Sequence, residues 1–145
     1  MRYREEQRDI FTLSPLDYTF VHCISADFAL GKGIALEMQK HFKTRDMIQS
    51  NAKPYSIPVG HCVYTEPVLS MITKSKATSL PTYESMYEAL FHLRTAVERL
   101  SIDRLAMPLI GCGLDKLKWP IVRALIKDIF EDLDIEILVC YLPDV

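Results

Sequence analysis

The spacing of apolar positions changes along the chain, and each change predicts an element. Tyr18-Thr19-Phe20-Val21-His22-Cys23-Ile24 is an uncharged run of aromatic and β-branched residues, the pattern of a buried strand. Ile34, Ala35, Met38 and Phe42 then recur at helical spacing, and a further helical turn is expected over 45–51. Residues 53–60 hold Pro54 and Pro58 and predict a connection. Two short strands are expected at 62–65 and 68–73, broken by Glu66-Pro67. The clearest helix is 83–100, where Tyr83, Met86, Tyr87, Leu90, Leu93, Val97 and Leu100 form one core-facing stripe behind a Thr82 N-cap. A short strand at 104–107 leads into Pro108. Pro120 suits the first turn of a helix whose apolar face is Ile121, Val122, Leu125, Ile126, Ile129 and Phe130. A buried strand is expected at 135–141. Strands alternating with helices imply an α/β sheet covered on both faces.

Composition narrows the class. The chain has 145 residues, which fits one domain spanning 1–145. A 49% hydrophobic and 25% charged composition is that of a globular protein rather than a disordered one. The formal net charge of −2 disfavours a protein that holds nucleic acid mainly by bulk charge. Cys23, Cys62, Cys112 and Cys140 form no Cys-x-x-Cys or Cys/His cluster, so no metal site and no cofactor is expected, and the thiols are read as reduced. Met1 to Glu6 lacks the apolar stretch of a secretion signal, and the longest apolar segment is short and interrupted by Glu136. An intracellular monomer, cytoplasmic or nuclear and away from the membrane, is expected.

Glycine is the telling residue. The chain has five, against a usual share of about 7%. Four of them fall in Gly31-Lys32-Gly33 and Gly111-Cys112-Gly113, each after an expected strand and before an expected helix. In an open α/β sheet that position lies at the carboxyl end of the strand, where ligands bind. Glycine there allows positive φ and lets backbone amides approach an anion such as a phosphate. Neither stretch completes a dinucleotide fingerprint or a P-loop. The residues alone therefore reach a phosphorylated small molecule between two glycine loops; two tight turns are the alternative. Gly60, beside Pro58, reads as a turn.

His22-Cys23-Ile24-Ser25, Gly31-Lys32-Gly33-Ile34-Ala35, Thr73-Lys74, Pro81-Thr82-Tyr83-Glu84 and the run from Met107 to Asp115 together resemble a macrodomain. The branch they resemble is that of terminal ADP-ribose protein glycohydrolase, which includes the macrodomain of the DNA ADP-ribosyl glycohydrolase antitoxin. The resemblance runs from about Tyr3 to Leu142. It implies a three-layer α/β/α fold around a central mixed, mostly parallel sheet, with ADP-ribose lying over two loops. Asp9 then matches the acceptor of the adenine amino group, and Ile10 lines the adenine pocket. Ser25 and the loop of Gly31 and Gly33, with Ile34 following, approach the distal ribose. Leu109, Ile110, Gly111, Cys112, Gly113 and Leu114 wrap the diphosphate. Leu142 closes over adenine, with Tyr141 beside it. Lys74 matches the branch's lysine nucleophile and Asp115 its acid–base carboxylate.

The chemistry implied is hydrolysis of an ADP-ribosyl ester. An amine attacks the anomeric carbon only when unprotonated, and a lysine of reference pKa about 10.4 needs burial or a cationic neighbour to reach that state. Lys76 is a candidate second cation. Asp115 is alternatively a cap for the helix that begins near Lys118, Cys112 is read as packing rather than as a nucleophile, and His22 as a satisfied core histidine. Two positions depart from the branch: Leu109 stands where a basic residue can occur, and Ser75 follows Lys74 in place of another lysine. The function expected is removal of ADP-ribose from carboxylate-linked protein sites, with O-acetyl-ADP-ribose as a compatible substrate. The partners are accordingly ADP-ribose and ADP-ribosylated protein. A binding-only reader and a hydrolase of ADP-ribosylated DNA are the alternatives.

Overall fold

A computed structural model describes residues 1–143; the last two positions of the expected span lie outside the described residues. Six strands form one sheet in the order β1-β6-β5-β2-β4-β3. They are β1 (Arg2–Gln7), β2 (Thr19–Ser25), β3 (Cys62–Thr65), β4 (Val68–Lys74), β5 (Arg104–Met107) and β6 (Glu136–Tyr141). The first five strands in that order run parallel and β3 is antiparallel, so the sheet is mixed and mostly parallel. Helices α1 (Gly33–Phe42) and α2 (Thr44–Gln49) pack on one face, and α3 (Tyr83–Leu100) and α4 (Trp119–Phe130) on the other. No described helix is long and apolar enough to cross a membrane.

Alternation along β2 divides the core. Val21 joins Leu69, Met71 and Met107 beneath α3 and α4, while Phe20 and Ile24 join the clusters under α1 and α2. α3 starts where the sequence predicts. The Thr82 side chain accepts from the Ser85 amide at 3.0 Å, and Ser85 Oγ accepts from the Thr82 amide at 3.0 Å, a reciprocal cap. Its buried stripe is Met86, Ala89, Leu90, Leu93, Ala96 and Val97. Tyr87 and Leu100, expected in the core, are instead exposed, because they fall at the edges of a stripe wider than the face the sheet covers. Ile121 on α4 is exposed for the same reason.

β1 carries no apolar run and gives no strand signal. It is an edge strand, parallel to β6, whose positions are exposed or half-buried. Its Glu5 accepts from Tyr3 Oη at 2.6 Å, Trp119 Nε1 at 3.2 Å and Arg123 Nε at 2.6 Å, which ties the strand to α4. The charged edge also discourages pairing with another chain. The short helix α2 covers 44–49 rather than 45–51. Gly60 is more than a turn: its φ is +94°, its amide donates to Ile72 O at 2.7 Å, and an added Cβ would lie 2.5 Å from Glu88 Oε2. Only glycine lets this backbone lie against α3.

His22 is wholly buried on β2, and its Nε2 lies 2.6 Å from Ser70 Oγ on β4. Its Nδ1 has no partner among the described residues, so the expected satisfied histidine is satisfied at one nitrogen only. Burial lowers its pKa from 6.5 to about 3. The unfolded chain therefore takes up a proton near pH 6.5 that the folded chain refuses, and stability falls as pH drops from 6.5 toward 3. Between pH 7 and pH 5 this group alone costs about 2 kcal/mol, at about 1.4 kcal/mol per unit. Urea unfolding at both values is expected to show that loss, and His22→Gln to flatten it. The lowered carboxyls of Glu5 and Asp27 titrate below this window and do not interfere.

Candidate active site

Five parallel strands present their carboxyl ends along one edge of the sheet, and the candidate residues lie along that edge in order. At a strand spacing of about 4.8 Å, the line from β1 to β4 spans about 19 Å. Asp9 and Ile10 follow β1, and Leu142 follows its neighbour β6; the Arg8 amide donates to Tyr141 O at 2.9 Å and holds these two ends together. The run from Leu109 to Leu114 follows β5, Ser25 ends β2, and Lys74 ends β4.

At the far end the chemistry concentrates. Lys74 Nζ donates to Asp115 Oδ1 at 2.7 Å, and the two side chains are only 16% and 17% exposed. Most lysine–carboxylate pairs on a protein surface are wet and weakly held; this one is largely withdrawn from water. Asp115 sits in a 3-10 turn, Gly113–Asp115, that ends with Lys116 at φ 65°. It does not cap α4, whose N-cap is Lys118 with no side-chain cap bond. Lys76, two residues beyond Lys74, is exposed and outside the pair.

The two glycine loops meet. A Cβ added at Gly33, whose φ is +57°, would lie 3.9 Å from Leu114 Cδ1. Gly111 has φ +74° and packs so closely that a Cβ would lie 2.6 Å from Met86 Cε and 2.9 Å from Leu117 Cδ1. Gly113, at φ +75°, faces open space on the side where a Cβ would stand, while a Cβ at Gly31 would lie 3.8 Å from Ala29 O. Leu114 is 69% exposed above them. Gly111 thus serves packing, while Gly113 leaves backbone uncovered, as close approach of a ligand requires. Ile110 is buried, and Leu109 and Cys112 are half-buried against the α3–α4 core.

Other candidates are placed less openly. Ile10 and Ser25 are 3% and 4% exposed. The Ile10 side chain lies among Phe20, Met38 and Leu138, with half-buried Ile34 against the same cluster, so it backs this end of the edge rather than forming its surface. Asp9 is exposed and accepts from the Phe11 amide at 3.0 Å, which starts the turn Ile10–Thr12. Leu142 is exposed.

Thiol chemistry is disfavoured across the site. Burial and the nearby Asp115 carboxylate hold the Cys112 thiol above its ordinary value, and the same two causes push Cys23 up to about 12. All four cysteines are free. No group of three or more potential metal ligands occurs among the described residues.

One residue the sequence did not single out is Asp27. It accepts from Ser25 Oγ at 2.5 Å, from the Ala29 amide at 3.2 Å and from the Ala77 amide at 2.9 Å. The bond to Ala29 is an Asx turn, and an aspartate two residues past a strand was the available signal. Its bond to Ala77 joins segments fifty residues apart and has no local signature.

Comparison with known proteins decides the family. ADP-ribose glycohydrolase OARD1 of Homo sapiens is 35% identical over 136 residues, covering 90% of this chain and 86% of that protein, and the Bos taurus protein of the same name matches equally. The chain belongs to the macrodomain family, in its ADP-ribose glycohydrolase branch. The macrodomain of Thermus aquaticus DarG superposes with TM-score 0.84 over 97% of this chain and 98% of its own, at 22% identity. Thermosipho africanus DarTG, solved in complex with ADP-ribose, superposes with TM-score 0.82 over 98% of this chain and 42% of its own, at 21% identity. No protein-family model matches the chain. The three-layer macrodomain fold expected from the sequence is the one observed, with the Lys74–Asp115 pair at the carboxyl edge of its sheet.

Proposed function

We propose that this macrodomain binds ADP-ribose along the carboxyl edge of its sheet and hydrolyses ADP-ribosyl esters of protein glutamate and aspartate. The observation that carries the reading is the part-buried contact of 2.7 Å between Lys74 Nζ and Asp115 Oδ1, beside two converging glycine loops. The names of the OARD1 relatives support glycohydrolase chemistry, and the ADP-ribose in the DarTG structure supports the ligand.

In this reading adenine lies toward Asp9, Ile10 and Leu142, the diphosphate lies over residues 109–114, and the distal ribose reaches Ser25 and Lys74. The Lys74 ammonium passes a proton to Asp115 along their contact, leaving a neutral amine. The amine forms a bond to the anomeric carbon, and the ester carboxylate leaves with the electron pair of the broken C–O bond and takes the proton from Asp115. Asp115, ionised again, takes one proton from the now positively charged nitrogen and passes it to the ring oxygen as the ring C–O bond breaks and the protonated imine forms. Water then adds to the imine carbon and gives a proton to Asp115, which carries it to nitrogen, so that the C–N bond breaks and frees lysine and the aldehyde form of ADP-ribose. The same steps accommodate O-acetyl-ADP-ribose.

The test is incubation with a peptide carrying ADP-ribosyl-glutamate, following free ADP-ribose. Multiple turnovers are expected. Affinity for ADP-ribose without any release of it would leave a reader module. A second reading, hydrolysis of ADP-ribosylated DNA, is favoured by exposed Lys32, Lys76, Lys116 and Lys118 on the three loops around the pair, none of them in an ion pair among the described residues. A DNA adduct cleaved faster than the peptide, with a rate that falls steeply with salt, would support it.

A further inference from the structure

We propose that Asp27 is a positioning residue for this reaction: its carboxylate ties the loop after β2 to the loop after β4 and so aims Ser25 and Lys74 at one point. The inference rests on the hydrolase reading above and adds a residue to it.

The geometry is a bracket around Lys74. The Ala26 amide donates to Lys74 O at 2.9 Å, and Asp27 Oδ2 accepts from the Ala77 amide at 2.9 Å. Two consecutive residues of the first loop therefore hold the strand end and the chain three residues beyond it. The β2–β4 register slips at Ile24/Ser25, so that Ser25 pairs with Lys74. Among the described residues no other side chain bonds the backbone of the loop after Lys74 to the loop after β2.

The first loop needs such an anchor. Phe28 and Leu30 have φ of +57° and +42°, in the left-handed region that bulky side chains avoid. Both are buried, at 1% and 3% exposure, so packing on one side and Asp27 on the other keep the backbone there. The strained segment delivers the chain directly into Gly31 and Gly33.

Asp27 also fixes what Ser25 offers a ligand. Burial acts to raise the Asp27 carboxyl, but the hydrogen bonds from Ser25, Ala77 and Ala29 outweigh it and hold the group below its ordinary value. An ionised carboxylate only accepts, so the Ser25 hydroxyl must donate to it. The serine oxygen is then left with lone pairs alone, so a group that reaches this buried hydroxyl has to donate to it. A ribose hydroxyl meets that requirement and a phosphate oxygen does not, because the serine proton is committed to Asp27.

The test uses the full chain with Asp27→Ala and Asp27→Asn. Measured are kcat and KM on the ADP-ribosyl-glutamate peptide, ADP-ribose affinity by calorimetry, melting temperature, and hydrogen exchange of the Ala77 amide. Asp27→Ala is expected to lose about 10²-fold in kcat, the scale of a 1 Å misplacement, with faster exchange at Ala77 while the protein remains folded. Asp27→Asn keeps one carbonyl oxygen as acceptor and recovers part of that loss; it decides the matter if Asp27→Ala does not fold. A folded variant with kcat within twofold of wild type overturns the proposal. If the wild-type chain itself releases no ADP-ribose, the hydrolase reading fails separately. The positioning role is then judged on ADP-ribose affinity and Ala77 exchange, and no change in either for folded Asp27→Asn overturns it.

Discussion

Lys74→Arg is expected to lower kcat on an ADP-ribosyl-glutamate peptide by at least about 10³-fold while leaving the protein folded and able to bind ADP-ribose. The choice of arginine follows from the geometry. Lys74 and Asp115 are both largely buried, and truncation to alanine would leave the carboxylate without its partner. Arginine keeps the positive charge and a donor for Asp115, but it stays protonated and has no lone pair for an anomeric carbon. A purely electrostatic role for Lys74 predicts near-normal turnover in this variant; a nucleophilic role predicts almost none. Lys74→Ala should be as inactive, with a larger penalty in stability. The comparison is made by steady-state kinetics and calorimetric ADP-ribose titration on the same preparations.

Asp115→Asn carries the second large effect, a loss of about 10²–10⁴-fold in kcat, the usual scale for removing a general acid–base group. The amide oxygen still accepts from Lys74 Nζ, so the side chain remains in place in the turn Gly113–Asp115. It can no longer take the lysine proton. Because the two groups act on one proton, the double variant Lys74→Arg/Asp115→Asn should be little worse than Lys74→Arg alone. Losses that multiply would mean that the residues act independently, and the proton-transfer account would fail.

Much of the framework was legible because local signals agreed with the global fold. The helix α3 combines a Thr82 cap with a 3.6-residue stripe, and its boundaries in the structure are those expected. β2 and β6 are apolar runs that only a buried strand explains. β1 was illegible because an edge strand needs no apolar run, and its stabilising contacts come from Trp119 and Arg123 more than a hundred residues away. Tyr87 looked like core because periodicity reports a face but not how much of that face is covered. Gly60 looked like a turn because the helix it lies against is distant in sequence.

At the candidate site the glycines could be read from scarcity and position alone, since few physical needs confine glycine to two strand-to-helix loops. Lys74 and Asp115 could not: a lysine at a strand end and an aspartate after a glycine are ordinary residues, and the family resemblance singled them out. Their meeting at 2.7 Å is a property of the fold, set by the adjacency of β2 to both β4 and β5. Asp27 escaped because the bond that distinguishes it spans fifty residues.

Turnover by this mechanism requires the amine of Lys74 to become bonded to the anomeric carbon. Incubating the wild-type chain with ADP-ribose and cyanoborohydride, then mapping peptides by mass spectrometry, tests that bond directly. The predicted result is a single reduced ADP-ribose adduct on Lys74, absent from Lys74→Arg. An adduct confined to Lys76 or scattered over surface lysines, or no adduct in a protein that turns over substrate, would contradict it.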